Sequence, residues 1–429
     1  MNVRRHSSER GTPSRWSGFS RHRPAAPPYR AVETLFTNWP QHAAVPTRGA
    51  ALDGTFQDVQ GGLDRGVTLS SGRIRVVGAG ELGERDKEIW RELRAKTGAP
   101  QSPFMEPEFT LAVGRVRPQA RIAVVRDGAE AAGFFPFERG PLGQGRAIGF
   151  GVSDCQGLVL RQGTDLGARE LLRACSLSSY AFDNLEDGQD LFAPYAAEGH
   201  PTFVIDVGEG YAAYEAVLRA QSPKFLKTTL AKERRLGRQA GELRFVFDER
   251  DPAALRTLMG WKSAQYRRTG RRDRFSQQWI SELVRVLAGT REPGCTGTLS
   301  VLYAADRPVA AHFGLRSQTV LSCWFPAYDP EFGKFSPGLI LHLRMAEAAA
   351  AEGIGMLDLG RGAAEYKDAL KTGELPVHEG AVIRPGAGAA LHWLSVEPSR
   401  RAHSFVRNRP RLASLASKTL KGLGRLRRP

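Results

Sequence analysis

The chain has 429 residues but only four cysteines, Cys155, Cys175, Cys295 and Cys323, and no two of them form a CxxC pair or a metal-ligand spacing. That excludes a disulfide framework and predicts reduced, mostly buried thiols, as in a cytosolic protein. No stretch approaches the roughly 18 consecutive apolar residues that a membrane span needs. The opening run MNVRRHSSERGTPSRWSGFSRHRP lacks the apolar core of a signal peptide, so the expected compartment is the cytoplasm. The body also lacks an excess of either charge. Of the formal net charge of +16, residues 1–50 carry +6 and residues 400–429 carry +10, whereas residues 51–399 balance 43 basic against 43 acidic side chains. A basic groove across a folded nucleic-acid domain is therefore not expected.

Apolar residues make up 41% of the chain, enough for a sizeable core, and the length suits two or three domains. Residues 1–70 are rich in Arg, Ser, Pro and Gly without sustained periodicity and read as a disordered basic tail. A strand is expected at 73–77 and a helix at 84–96, with Ile89, Trp90 and Leu93 at helical spacing. The runs ARIAVVR (120–126) and AAGFFPF (131–137) flank Asp127-Gly128, a strong hairpin signal. A related unit recurs at LSVLYA (299–304) and VAAHFGL (309–315), with its turn expected at 306–308 and a third strand at TVLSCWF (319–325). Helical segments precede each hairpin, at 252–268 and 276–288 for the later one. Two copies of one α/β fold in tandem are expected, divided as 71–205 and 206–390, with a basic C-terminal tail at 391–429. Between the copies, 211–239 reads as two helical pieces broken near Ser222-Pro223. The second carries Lys224, Lys227, Lys232, Arg234, Arg235 and Arg238, which form either a solvated face or a positive rim for an anion.

The most informative stretch is 328–368, YDPEFGKFSPGLILHLRMAEAAAAEGIGMLDLGRGAAEYKD. Leu339, Leu343, Ala346 and Ala350, with Ile340 beside them, predict one buried helical stripe, and Gly353 suits the helix end. Ser336-Pro337-Gly338 suits its start, with Ser336 as the expected cap. Such a start offers unpaired N–H groups to a phosphate, and Gly333 and Gly338 would let a ligand approach the backbone, with Lys334 just before. Neither GxxxxGK[ST] nor GxGxxG opens this helix, so it is not a nucleotide loop of either kind. His312, mid-strand in the later meander, is a residue type able to act as a base near neutral pH, or else a hydrogen-bonded core residue. Asp358 and Arg361 flank Gly360 at a strand end, either as a base and a phosphate or acceptor partner or as a structural pair. Tyr328 and Asp329 belong to the acceptor side or form the turn after the strand. Nothing marks Cys323 as an activated nucleophile.

The order of meander, glycine-bearing loop, helix and strand resembles the core of the GNAT acyltransferases. AYDPEFGKFSPGLILHLRMAE (327–347) and LDLGRGAAEYKDAL (357–370) resemble the C-terminal domain of the CelD/BcsL proteins of cellulose and exopolysaccharide biosynthesis, within the FemAB-like branch. LMGWKSAQYRRTGRRDRF (258–275), GFFPFERGP (133–141) and SDCQGL (153–158) resemble the same group. GKFSPG has fewer glycines than the usual pyrophosphate loop of the superfamily. The resemblance implies tandem GNAT-like domains, each a mixed, mostly antiparallel sheet flanked by helices. It implies transfer of an acyl group, acetyl or another, from acyl-coenzyme A to a sugar or an envelope or exopolysaccharide precursor, without a metal. By the same resemblance, Gly333, Lys334, Phe335, Ser336, Pro337, Gly338 and Arg361 would hold the cofactor, with Trp324 and Phe325 on the strand that supplies the oxyanion donor. Lys367, of the Tyr366-Lys367 pair, would stabilise developing negative charge, and Tyr366 would protonate the leaving thiolate. Asp358 or His312 would complete the chemistry. The rival functions are a FemAB-like transferase using aminoacyl-tRNA and a non-catalytic scaffold of a polysaccharide synthase. Residues 404–428 place leucines among basic residues, either as a solvated tail or as a peripheral contact with an anionic membrane.

Overall fold

The computed structural model describes residues 73–362 and 364–385. Both tails, including the basic stretch 404–428, lie outside the described residues. The first half comprises β1 (Ile74–Gly78), α1 (Glu84–Ala95), α2 (Pro107–Val116), β2 (Ala120–Asp127), β3 (Glu130–Arg139), β4 (Gln144–Ala147), β5 (Val159–Leu160), α3 (Ala168–Ala174), β6 (Ser179–Glu186) and β7 (Ala196–Asp206). The second half comprises α4 (Tyr211–Gln221), α5 (Pro223–Ala240), β8 (Leu243–Val246), α6 (Pro252–Thr269), α7 (Gln278–Ala288), β9 (Arg291–Glu292), β10 (Cys295–Ala304), β11 (Arg307–Arg316), β12 (Val320–Tyr328), α8 (Pro337–Ala351), β13 (Met356–Arg361), α9 (Glu365–Leu370) and β14 (Gly373–Ile383).

All strands join one sheet in the order β1-β2-β3-β4-β6-β14-β7-β13-β12-β11-β10-β8, with β5 on β3 and β9 on β10 off this path. The order reads the same from either edge once each strand is matched to its counterpart in the other half. Each half makes an antiparallel meander, β2-β3-β4 or β10-β11-β12, followed by a helix and a strand parallel to the last meander strand. The final strands are exchanged: β14 pairs with β6 of the first half, β7 pairs with β13 of the second, and the two pair with each other. The architecture is thus a tandem GNAT-like α/β fold on one shared, mostly antiparallel sheet.

The local signals act as expected at most elements. Asp127 ends β2 and Gly128 turns the chain at φ 63°. Pro223 takes the first position of α5 and separates it from α4, because it lacks the N–H that would continue the ladder. The second hairpin differs. Its turn is Ala305-Asp306, and Arg307 and Pro308 already belong to β11, where Pro308 faces Tyr303 next to a register shift. A bulge tolerates a residue without an N–H, which is why Pro308 does not mark the turn. Helix α8 is also more buried than one stripe: Leu341, His342, Met345 and Ala349 are buried with Ile340, Leu343 and Ala346. It packs against the meander strands on one side and against α4 and α5 on the other.

One core joins α1, α2, α6 and α7 to both meanders, so the halves share apolar packing as well as the sheet. The four cysteines are buried free thiols. Arg94 of α1 reaches Glu186 of β6 through two hydrogen bonds of 2.6 and 2.7 Å in the interior. Among the described residues, no helix is long and apolar enough to cross a membrane.

Candidate active site at the junction of the halves

β12 and β13 pair in parallel only from Val320/Met356 to Ser322/Asp358. Beyond that they part, and β12 continues to Tyr328 while β13 ends at Arg361. Trp324 is the extra residue of a bulge at this point, since Phe313 faces Phe325 and Gly314 faces Cys323.

One wall of the opening leads to the start of α8. Ser336 sits there with φ 53° and ψ 52°, an unusual backbone for serine, and its side chain caps no helix N–H. The expected serine cap is therefore corrected: the left-handed backbone turns Ser336 Oγ away from the helix, and it accepts a hydrogen bond from Lys232 Nζ at 2.8 Å instead. Lys232 belongs to α5, which packs against this loop, whereas Lys224, Lys227, Arg234 and Arg238 of the same helix are exposed. Arg235 of the same helix stacks on the Phe335 ring at 5.8 Å, and Lys334 Nζ lies 4.8 Å from that ring. Cβ atoms at Gly333 or Gly338 would meet nothing closer than Tyr328, at 3.7 Å, so both glycines leave open space. Pro337 and Phe335 are buried and fix the loop from inside. Asp329 belongs to the turn: its carboxylate accepts from Glu331 N and from Arg307.

The other wall is a buried charge cluster. Lys367 is 7% exposed, no surface lysine, and its ammonium donates to Gly360 O at 2.9 Å and Arg361 O at 3.0 Å. Gly360 and Gly362 have φ of 75° and 100°, a backbone that turns these carbonyls and that glycine adopts without strain. Asp358 is 8% exposed and accepts hydrogen bonds from Thr202 Oγ1 (2.6 Å) and Gly360 N (2.8 Å). Burial lowers the pKa of Lys367 below the ordinary lysine value, against the opposing pull of Asp154 and Asp358. Burial pushes the Asp358 carboxyl up, against its hydrogen bonds and Lys367. Tyr366 is pushed up to about 12, chiefly by burial, and stays protonated near neutral pH.

The first half supplies the rest of this wall through residues 149–156. Gly149 N donates to buried Glu138, Trp324 Nε1 to Val152 O at 2.7 Å, and Arg274 to Gly151 O. Asp154 follows, so close to β13 that a Cβ on Gly360 would come within 3.2 Å of its Oδ2. Asp183 of β6 accepts from Gln156 Nε2 at 2.6 Å, and its carbonyl accepts from Arg361.

Several expected site residues lie at the site but are committed to other contacts. His312 is fully buried, and its Nε2 accepts the Trp324 backbone N–H at 3.1 Å. Burial holds it neutral, with its pKa well below the ordinary histidine value. It is a core residue that shapes the bulge, not an accessible base, and it takes up the Trp324 N–H, one of the backbone donors of the strand expected to supply the oxyanion donor. Arg361 is committed to Glu379 at 2.9 Å and to the Asp183 carbonyl, so it binds the halves together and is not free for phosphate. Phe325 packs on Phe275 and Trp324. Asp154, Asp183 and Thr202 were not singled out from sequence, although SDCQGL contains Asp154; Lys232 was named only within the basic run of α5.

The matching opening in the first half is closed. β4 and β6 pair only from Gln144/Ser179 to Arg146/Ala181, and beyond that Gln156 fills the gap, bonded through backbone and side chain to residues 183–186. α3 is only seven residues long, and Glu170 places its own carboxylate at the helix start. No group of three or more His, Cys, Asp or Glu able to hold a metal occurs among the described residues.

Residues 224–368 match the family model described as an acetyltransferase (GNAT) domain. The region covers α5 to α9, and thus the second-half part of the open site but none of the closed one. On this domain the protein is an acyltransferase, and acyl-coenzyme A is the co-substrate the domain implies. Among solved structures, FemX is similar with a TM-score of 0.50 at 10% identity, over 72% of this chain and 98% of that one. The C-terminal domain of a protein described as a lysylphosphatidylglycerol synthetase from Agrobacterium fabrum follows at 0.44 and 12%, over 73% and 96%. A tandem GNAT protein from the clavulanic acid biosynthesis pathway gives 0.42 and 12%, over 73% and 99%. A search of curated proteins finds no match.

Proposed function

We propose that the second half transfers an acyl group, with acetyl-coenzyme A as the expected donor, to a sugar-type acceptor of the envelope or an exopolysaccharide by direct attack on the thioester. The observation that carries this reading is the opening between β12 and β13, with a phosphate-ready helix start on one wall and a buried lysine on the other. Gly333, Ser336, Gly338 and Lys232 would hold the pyrophosphate, through open backbone, helix dipole and ammonium charge. Lys367 uses two of its three N–H donors on the carbonyls of the turn, so its charge is fixed in place. It would offset negative charge developing on the thioester oxygen. Tyr366, protonated at neutral pH, would supply the proton for the leaving thiolate. Asp358 would hold the turn and Lys367 in register. The acceptor class rests on the resemblance of 327–370 to the CelD/BcsL proteins.

Calorimetric titration of the full-length protein with acetyl-coenzyme A tests the reading, beside Gly338→Glu. The glutamate fits the space beside Tyr328 but puts a carboxylate at the helix start. Binding weakened by about 30-fold, or about 2 kcal/mol, is expected. Equal affinity in the variant, or none in the folded wild type, would overturn it. The alternative is a FemAB-like transferase drawing on aminoacyl-tRNA, for which the +16 carried by the tails is the favourable observation. Salt-sensitive retention of charged tRNA on filters, without acetyl-coenzyme A binding, would select it. Absence of both would leave the scaffold.

A further inference from the structure

We infer that Asp154, a residue of the first half, is the general base for the transfer carried out by the second. The inference rests on the acyl-transfer reading above and adds the residue that reading lacks. Its basis is which carboxylates at the junction are already committed. Asp358 is held by Thr202 and Gly360 N, Asp183 by Gln156 and Gly151 N, and Glu379 by Arg361. The Asp154 carboxylate accepts no hydrogen bond from any described residue, and it keeps some accessible surface. Yet its position is well fixed. The segment that carries it is tied to β3 through Glu138, to β12 through Trp324 and to the turn after α6 through Arg274. These ties explain three motifs that otherwise have no role. Glu138 stands in GFFPFERGP, Asp154 in SDCQGL and Arg274 in the run 258–275. All three bear on one segment: Glu138 holds Gly149, Arg274 holds Gly151, and Asp154 follows them beside Gly360 of β13.

The charged groups facing Asp154 are Asp358 from β13, Lys367 from α9, Arg274 from the turn after α6, and Asp183 from β6. Burial and then Asp358 push its carboxyl up to about 7, while Lys367 and Arg274 pull it down. A base of this strength is half-ionised near neutral pH and suits removal of a proton from an attacking amine or hydroxyl. In the step itself, the acceptor nitrogen or oxygen forms a bond to the thioester carbonyl carbon as its proton passes to the Asp154 carboxylate. The carbon–sulfur bond breaks, and the thiolate takes a proton from Tyr366. The proton on Asp154 returns to Tyr366 through solvent, so nothing is oxidised or reduced.

The test is Asp154→Asn in the full-length protein, read in three ways. Acetyl-coenzyme A binding should stay within threefold of wild type, since the amide leaves the α8 loop untouched. Thiol release from acetyl-coenzyme A, with water and with glucosamine as probe acceptors, should fall at least about 100-fold at pH 8. The wild-type rise in rate through about pH 7 should vanish in the variant. The variant should also melt higher than wild type at pH 8, with the gap narrowing at pH 5. A raised folded pKa means the ionised carboxyl costs stability above that pKa, and the amide removes this cost. Thiol release within threefold of wild type would overturn the inference. So would a lower melting temperature at pH 8, which would make Asp154 a structural partner of Lys367. If the wild type binds acetyl-coenzyme A but turns over neither probe, the melting comparison decides alone. If the folded wild type does not bind it, the acyl-transfer reading fails first and the inference falls with it.

Discussion

Replacing Lys367 with methionine should cost about 3–5 kcal/mol of stability at pH 8 and much less at pH 5. Methionine fills most of the same volume, so the loss is electrostatic and not a cavity. The change leaves the carbonyls of Gly360 and Arg361 without their donor and removes the cation facing Asp154 and Asp358. Both carboxyls already have raised pKa values in the folded protein, Asp154 at about 7. Without the lysine they rise further. At pH 5 the folded variant keeps them protonated and avoids most of the cost. At pH 8 it must either bury unpaired carboxylates or take up protons against the pH. Stability relative to wild type is therefore lost as pH rises through the folded values. Total stabilities of about 5–15 kcal/mol leave the variant folded at low pH. Urea unfolding of both proteins at the two pH values, followed by circular dichroism, reads the difference. A loss below about 1 kcal/mol at pH 8, or an equal loss at both pH values, would refute the reasoning.

Two further outcomes follow from buried residues. Glu186→Ala should destabilise the protein by about 3–5 kcal/mol in the same assay, because it strands the Arg94 guanidinium in the interior; Glu186→Ala with Arg94→Met should recover much of that. Gly360→Ala places a non-glycine residue at φ 75° and a methyl 3.2 Å from Asp154 Oδ2. It should cost about 1–2 kcal/mol of stability and lower thiol release from acetyl-coenzyme A by more than acetyl-coenzyme A binding, and equal losses would count against a role for that corner.

The fold was legible where a local signal is strong. Asp127-Gly128 fixes one hairpin, Ser222-Pro223 one helix break, and the later meander was readable from its apolar runs. Pro308 misled about a turn because the bulge that tolerates it depends on β10, not on the residues around it. Ser336 was read as a cap, since serine before proline usually is one; what holds it left-handed includes Lys232, from a helix about a hundred residues earlier. His312 offered two readings, and only its burial against Trp324 N separates them. Asp154 could not be found from sequence. It stands some 200 residues from Gly360, and only the tertiary fold brings them together. The exchange of β7 and β14 was likewise invisible, because both strands carry ordinary strand patterns and nothing local states which neighbour each will take.

That exchange explains why the site lies where it does. In each half the last meander strand and the following parallel strand part, and something must sit beyond the parting. In the first half it is the chain's own Gln156, which satisfies the exposed backbone around it. In the second half β7 crosses over to pair with β13, bringing Thr202 to Asp358, and residues 149–156 are held at the rim of the opening through Trp324 and Arg274. The segment that closes one opening thus ends as a wall of the other. The lysine and one acid come from the second half, and the uncommitted acid comes from the first. Neither half alone assembles that pair, which gives the chain a physical reason to keep two copies of the fold when only one of them is open.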